Sequence, residues 1–482
     1  MNQQIYCNPL PLPDYPRGIQ CYGERNPANH LWHHPTPRDF RETADPSVIY
    51  EDGKWYLYPS CGMAYVSEDF RTWKHVRIEP YKPGYAPTVV KHRGRFLLTA
   101  CGAPIYEALH PLGPFREIGK VAMPDGSRIR PGWGDPMLFS DDDDRLYAYW
   151  GLGSPGIFAA ELDPEKPNQL LTEPVKMFEF NPSHEWERYG EWNEDPTISY
   201  CEGSWMVKIG GRYFLTYAGP GTSFSTYAMG AYVAVNPLGP FTYQQRNPIL
   251  RQRHGLVRGP GHGCIVRGPN DTLWAFYTCC LCYENGFERR IGMDPAGIDD
   301  DGNLFVIDAT QFPQHAPGIK DHPELGNSTG LLPCNHRKRC EASSTAPGRD
   351  SLYCVDSSTL TWWQPAADDP APTMIFPLRA QFAVSAMRLW WRDEGLDYDA
   401  DVLPGPFRFK IEGCLKDGDW FTIVDKTQNE GDMLIDFLTF NPVNVDTVRL
   451  VITGWPEGIR PALIDATVFG VRAVAAPESE DN

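Results

Sequence analysis

Asp45, Asp135 and Glu202 each open a short motif that recurs along the chain, and His262 opens another copy. The five copies are Asp45-Pro-Ser-Val-Ile-Tyr50, Ala86-Pro-Thr-Val-Val90, Asp135-Pro-Met-Leu-Phe139, Glu202-Gly-Ser-Trp-Met-Val207 and His262-Gly-Cys-Ile-Val266. Three carboxyl groups and an imidazole brought to one point are suited to moving protons. Two carboxyl groups flanking an acetal suffice to hydrolyse it. One is held protonated near neutral pH and protonates the leaving oxygen, while the other, ionised, activates water on the opposite face. A third carboxylate close by raises the pKa of the acid by like-charge repulsion and fixes its orientation. The imidazole could organise water or a cation among them.

The elements around these residues explain how they would converge. Each copy reads as an apolar strand, a tight turn of Gly, Asp or Asn, and an aromatic-rich returning strand, as in Asp45 to Tyr58. Copies 41 to 67 residues apart leave room for one four-stranded propeller blade each. The innermost strand of every blade lines the axis, so equivalent positions meet at one funnel. A second echo, Pro111-Leu-Gly-Pro-Phe115 and Asn236-Pro-Leu-Gly-Pro-Phe241, follows the second and fourth copies. Asp-Pro alone is a common turn opener, seen again at Asp163, Asp195, Asp294 and Asp369. The fivefold context sets Asp45 and Asp135 apart from these. The run Asp141 to Asp144 falls in the hairpin of the third copy and reads as a solvated turn.

Bulk properties narrow the class. A chain of 482 residues exceeds one ordinary core, which predicts two domains. Long 3.6-periodic segments are almost absent, which favours an all-β fold. A net charge of −18 argues against nucleic acid or an anionic membrane surface as partner. A neutral oligosaccharide or glycoside suits it. No apolar run is long enough to span a membrane, and the first residues lack a secretory pattern. The 13 cysteines suggest no disulfide framework. Cys61, Cys101, Cys279 and Cys280 read as small core residues at strand ends, and Cys279-Cys280-Leu-Cys282 lacks partners at a zinc-like spacing. A cytoplasmic location is the simpler expectation, although removal of a signal segment would leave the same sequence.

The repeats place a five-bladed β-propeller over residues 1–320. Residues 321–344, rich in Pro, Gly, His and Arg, read as a linker. Strands with a different rhythm follow, such as Phe407 to Glu412 and Val448 to Ile452, and place a β-sandwich, jelly-roll-like, over 345–482.

In this setting residues 30 to 310 resemble glycoside hydrolase family 43, the inverting five-bladed propellers. The matching pieces are Ala44-Asp-Pro-Ser-Val-Ile49, Ser67-Glu-Asp-Phe-Arg-Thr-Trp73, Gly134-Asp-Pro-Met-Leu-Phe139, Cys201-Glu-Gly-Ser-Trp205, Gly259-Pro-Gly-His-Gly263 and Asp299-Asp-Asp-Gly302. The resemblance implies Asp45 as general base, Asp135 as modulator of the acid's pKa and Glu202 as general acid. It implies that His262 orients a calcium ion or its waters, with no organic cofactor, and that Arg289 or Arg290 is an active-site arginine. Trp73, Tyr85, Trp133 and Trp205 are candidate pocket-wall residues. The chain departs from the family pattern at Tyr85-Ala-Pro87, where Trp-Ala-Pro is usual, and at Glu202-Gly-Ser-Trp205, where Glu-Gly-Pro-His is usual. Both changes bear on the sugar more than on the reaction. The implied activity is exo-acting release of a terminal sugar, α-L-arabinofuranoside first, then β-D-xyloside or β-D-galactofuranoside. The rival is a non-catalytic carbohydrate-binding propeller. The C-terminal region resembles discoidin or galactose-binding-like modules.

Overall fold

The computed structural model describes residues 4–15, 41–60, 62–78, 84–280, 288–398, 400–416 and 418–473. Cys61, Cys282 and positions 30–40 of the resemblance lie outside them. The described residues fall into two compact units. One holds the described residues within 8–311 and 316–327, and the other those within 1–7, 312–315 and 328–482.

The first unit is the five-bladed propeller. The four main strands of each sheet follow chain order and pair antiparallel. The innermost strands are Ser47–Glu51, Thr88–His92, Met137–Ser140, Glu202–Ile209 and Gly261–Arg267. Each lies against the innermost strand of the next blade, and that of blade 5 lies against that of blade 1, which closes the ring. The innermost hairpins turn on paired residues with positive φ: Asp52 and Gly53, Arg93 and Gly94, Gly210 and Gly211. That geometry matches the twist of antiparallel strands, so these short turns fix the register of each blade.

Large side chains fill the wedges between blades. Leu97, Trp133, Leu138 and Trp150 pack between blades 2 and 3, and Phe214, Met229, Ile265 and Ala275 pack between blades 4 and 5. The acidic hairpin of blade 3 is not merely a solvated turn. Asp141 is buried and accepts hydrogen bonds from Lys208 Nζ and the Tyr213 hydroxyl of blade 4, each at 2.6 Å. Among the described residues nine cysteines are free, Cys101 and Cys279 among them, whereas Cys280 is disulfide-bonded rather than a core thiol.

The second unit is built around one seven-stranded antiparallel sheet folded on itself. Strand Thr373–Glu394 pairs with Ile435–Gly454 along both of its halves, with register breaks at Pro377/Phe382 and Val384/Ala386. Bulges of this kind bend strands and let them pass between layers. Trp391 on one half stacks on Phe407, next to the strand Arg408–Cys414 of the other half, with ring centroids 4.5 Å apart. The two halves thus face each other across a shared core, the sandwich arrangement.

The stretch read as a linker, 321–344, divides at residue 327/328 between the two units. Despite its Pro and Gly content its backbone still finds sheet partners. Leu332–Pro333 pairs with Phe469–Gly470, and Glu341–Ala342 pairs with Met374–Ile375. The N-terminal Ile5–Tyr6 likewise pairs with Gln314–His315 in this unit.

Candidate active site

At the head of every innermost strand one residue takes a left-handed backbone conformation. These residues are Asp45 (φ 52°), Ala86 (φ 52°), Asp135 (φ 42°), Gly203 (φ 57°) and His262 (φ 39°). Such residues are uncommon outside glycine and carry strain that their surroundings must hold. The turn aims each side chain from the strand end into the funnel. Blade 4 differs by one position: its left-handed residue is Gly203, and Glu202 precedes it. A Cβ at Gly203 would lie 2.6 Å from His262 Cγ, so only glycine lets the imidazole pack there.

Asp45 is 4% exposed and held from several sides. Arg289 donates Nη1 to Oδ1 at 3.0 Å and Nη2 to Oδ2 at 3.2 Å. Ser60 Oγ donates to Oδ2 at 2.6 Å and itself accepts from Ala86 N at 3.0 Å, so the alanine copy of the motif still helps to place the carboxylate. Asp45 N donates to Thr278 Oγ1 at 2.8 Å. Burial alone would raise its pKa, but Arg289, His262 and Ser60 outweigh burial and hold Asp45 below the usual carboxylate range.

Arg289 also donates through Nε to Glu42 Oε1 at 2.8 Å and through Nη1 to Thr222 Oγ1 at 3.2 Å. One guanidinium therefore serves two buried carboxyl groups. Glu42 accepts from the Tyr85 hydroxyl at 2.9 Å. Its pKa is raised, first by burial and then by Asp45, against the pull of Arg289.

Glu202 is buried, and its described side-chain partner is neutral: the Tyr227 hydroxyl donates to Oε1 at 2.7 Å. Burial pushes Glu202 up to about 7, with Asp45 adding and the Tyr227 hydrogen bond and Arg289 opposing. Asp135 is also pushed up to about 7 by burial, opposed by His262 and reinforced by Glu202 and Asp45. The Glu202 charge thus contributes to the shift of Asp135, whereas at Glu202 it is Asp45 that adds to burial. Burial, rather than the Asp135 charge that the sequence emphasised, is the leading cause for Glu202.

His262 Nδ1 stands between Asp45 Oδ1 at 3.6 Å and Asp135 Oδ2 at 3.7 Å. Among the described residues no three His, Cys, Asp or Glu side chains are grouped as metal ligands. Calcium favours six to eight oxygen ligands. One imidazole whose Nδ1 faces two carboxylates does not by itself supply that set.

The other candidates sort by what they touch. Arg290 turns away from the carboxyl groups and donates Nη1 to the backbone oxygens of Arg41 and Arg289 at 2.6 Å. Tyr85 reaches the site through Glu42. Trp73 packs edge-on against Phe70. Trp133 donates Nε1 to Thr99 Oγ1 at 3.1 Å in the wedge between blades 2 and 3. Trp205 donates Nε1 to Ile265 O at 3.0 Å, joining blades 4 and 5. Each of these indoles has a packing contact or a hydrogen bond within the propeller. Glu42, Tyr227 and Thr278 were not singled out in the sequence. Glu42 stands three residues before Asp45 and offered the one signal in reach.

Comparison with known proteins agrees with this geometry. The model of glycosyl hydrolases family 43 matches residues 34–304. A β-xylosidase of Xylanibacter ruminicola is 30% identical over 198 residues, which span 34% of this chain and 57% of that protein. A xylosidase/arabinosidase of Bacteroides ovatus is 24% identical, over 50% of this chain and 92% of its own length. A β-D-galactofuranosidase of Aspergillus niger is 22% identical, over 55% and 83%. The match covers more than half of the chain and includes every residue of the carboxylate funnel, and on that ground the chain belongs to glycosyl hydrolase family 43.

Proposed function

We propose that the protein is an inverting, exo-acting glycosidase that releases a terminal sugar. Asp45 is the general base, Glu202 the general acid and Asp135 the group that helps keep the acid protonated. The observation that carries this reading is the asymmetry between two buried carboxyl groups. Asp45 is clamped by the Arg289 guanidinium, which favours its ionised form. Glu202 meets only a phenol hydroxyl among its described hydrogen-bond partners, which leaves burial free to hold its proton. An ionised and a protonated carboxyl group on separate blades is the arrangement that acetal hydrolysis requires.

In the proposed reaction Glu202 donates its proton to the glycosidic oxygen as the bond to the anomeric carbon breaks. Asp45 takes a proton from the water that attacks the opposite face. His262 and Arg289 keep Asp45 oriented and charged until then. α-L-Arabinofuranoside is the first candidate substrate, with β-D-xyloside and β-D-galactofuranoside next. The relatives' names span the same three sugars at low identity.

Nitrophenyl glycosides of the three sugars, assayed with product anomers followed by NMR, test the reading. Turnover of one of them with inverted product is expected. Retained configuration would remove Asp45 from the role of base. Tight sugar binding without turnover of any glycoside would favour the non-catalytic alternative.

A further inference from the structure

Trp192 is the exposed tryptophan among the described residues, at 74% accessibility, while the others are buried or half-buried. It lies in the segment between the last strand of blade 3, Val175–Phe178, and Glu202, the first residue of the innermost strand of blade 4. Connections that enter an innermost strand run over the face on which Asp45, Asp135 and His262 begin their own strands. Trp192 is therefore on the catalytic face, displayed to water at a cost that a merely structural residue would avoid by turning inward.

The backbone that carries it is firmly held. Gly190 O accepts from Thr226 Oγ1 at 2.9 Å, and the Glu191 carboxylate accepts from Ser225 N at 2.8 Å and from Ser225 Oγ. Asn193 Nδ2 donates to Trp186 O and Arg188 O at 3.1 and 2.9 Å. Arg253, on the segment leading to His262, donates to Glu191 O at 2.7 Å and lays its guanidinium 4.8 Å from the Trp192 ring centroid. Ser225 and Thr226 immediately precede Tyr227, whose hydroxyl holds Glu202. The loop that displays the indole is thus fastened to the segment that positions the acid.

From this placement, and resting on the assignment of Glu202 as the acid, we propose that Trp192 with Arg253 forms a sugar-stacking platform on the leaving-group side of the site. The acid protonates the leaving oxygen, so the sugar that departs lies on the side of Glu202 and Tyr227. A pyranose or furanose ring presents C–H groups to an indole face and hydroxyls to a neighbouring guanidinium, and both are offered here. The preferred substrate is accordingly an oligosaccharide rather than a small aryl glycoside. Arg253 orients the indole and keeps it from collapsing onto the protein surface.

Binding to a catalytically disabled chain separates this proposal from the assignment of the reaction. In the Glu202→Gln background, calorimetric titration with xylotetraose and arabinotetraose, and with the matching monosaccharides, is compared with and without Trp192→Ala. The expected result is a roughly 3–10-fold weaker tetrasaccharide affinity on losing the indole, with monosaccharide affinity unmoved, and substantial recovery in Trp192→Phe. Equal weakening for both ligand sizes, no change for either, or no tetrasaccharide binding at all would each overturn the platform. A wild-type chain that turns over no glycoside would sink the proposed reaction while leaving this binding comparison intact.

Discussion

Arg289 contacts both oxygens of Asp45, at 3.0 and 3.2 Å, while its Nε reaches Glu42 at 2.8 Å. All three groups are buried. A single cation between two carboxyl groups leaves the cluster net negative, which is costly away from water unless one carboxyl group takes a proton. The opposite shifts of the two resolve the conflict: Asp45 is lowered and Glu42 is raised. Arg289 pulls both carboxyl groups down, but only at Asp45, helped by His262 and Ser60, does that pull outweigh burial and favour the ionised form.

Replacing Arg289 with lysine keeps a charge but removes the bidentate fork. Asp45 then loses part of what offsets its burial, and its pKa rises. A base must be ionised to act, so the acidic limb of the kcat/KM profile should move to higher pH. Activity at neutral pH should fall roughly 10–100-fold, the equivalent of one charge-assisted hydrogen bond. An acidic limb that stays in place would show that Asp45 is not the titrating base.

Tyr227→Phe should move the other limb. The phenol hydroxyl stabilises ionised Glu202, so its loss lets burial raise the carboxyl pKa further. The acid then stays protonated to higher pH, and the basic limb extends upward. Activity near pH 6 should stay within about tenfold of the parent, since one neutral hydrogen bond is lost. A basic limb displaced downward would contradict the assignment of Glu202 as acid.

The blades were legible because their code is local. An apolar run, a two-residue turn such as Asp52-Gly53 and an aromatic return specify a hairpin without any distant partner. Asp45 and Asp135 were legible because each stands at the left-handed head of such a hairpin. Glu202 was found through its motif, but its one-residue offset was not, since it depends on Gly203 fitting beneath the His262 ring. Tyr227 and Thr278 lie near second and third strands, and only closure of the ring brings them to the carboxylates. The tryptophans are hard to read from sequence for a physical reason. An indole N–H that finds an internal acceptor, as Trp133 does at Thr99 and Trp205 at Ile265, costs little to bury, so a large aromatic near a site is readily used as packing.

Gly203→Ala tests the offset in blade 4. Its φ of 57° strains any residue with a Cβ, and the new methyl would meet His262 Cγ at 2.6 Å. Stability should fall by about 1–3 kcal/mol in thermal unfolding, and activity should fall with it because His262 and Glu202 are both displaced. Adding His262→Ala should return part of the lost stability by removing the clash while the strain persists. Strictly additive losses in the two single variants would mean that the ring and the glycine are not in contact in solution.

The three carboxyl groups are separable by the leaving group of the substrate. Glu202→Gln removes the proton donor, so glycosides with poor leaving groups should lose on the order of 10²–10⁴ in rate. An activated aryl glycoside departs with little protonation and should suffer much less. Asp45→Asn removes the group that activates water, so good and poor leaving groups should fail together. Asp135→Asn keeps both reacting groups and removes a carboxyl group that the Glu202 charge raises, and such repulsion is reciprocal. The acid then loses its proton at lower pH, and the basic limb moves down, opposite to the effect of Tyr227→Phe. Because burial is the leading cause of the raised Glu202 pKa, that displacement should be partial, with the acid still well above an ordinary glutamate. Equal losses on good and poor leaving groups in Glu202→Gln would transfer the acid role elsewhere, and Asp135, also near 7, is the carboxyl group that would then hold the proton.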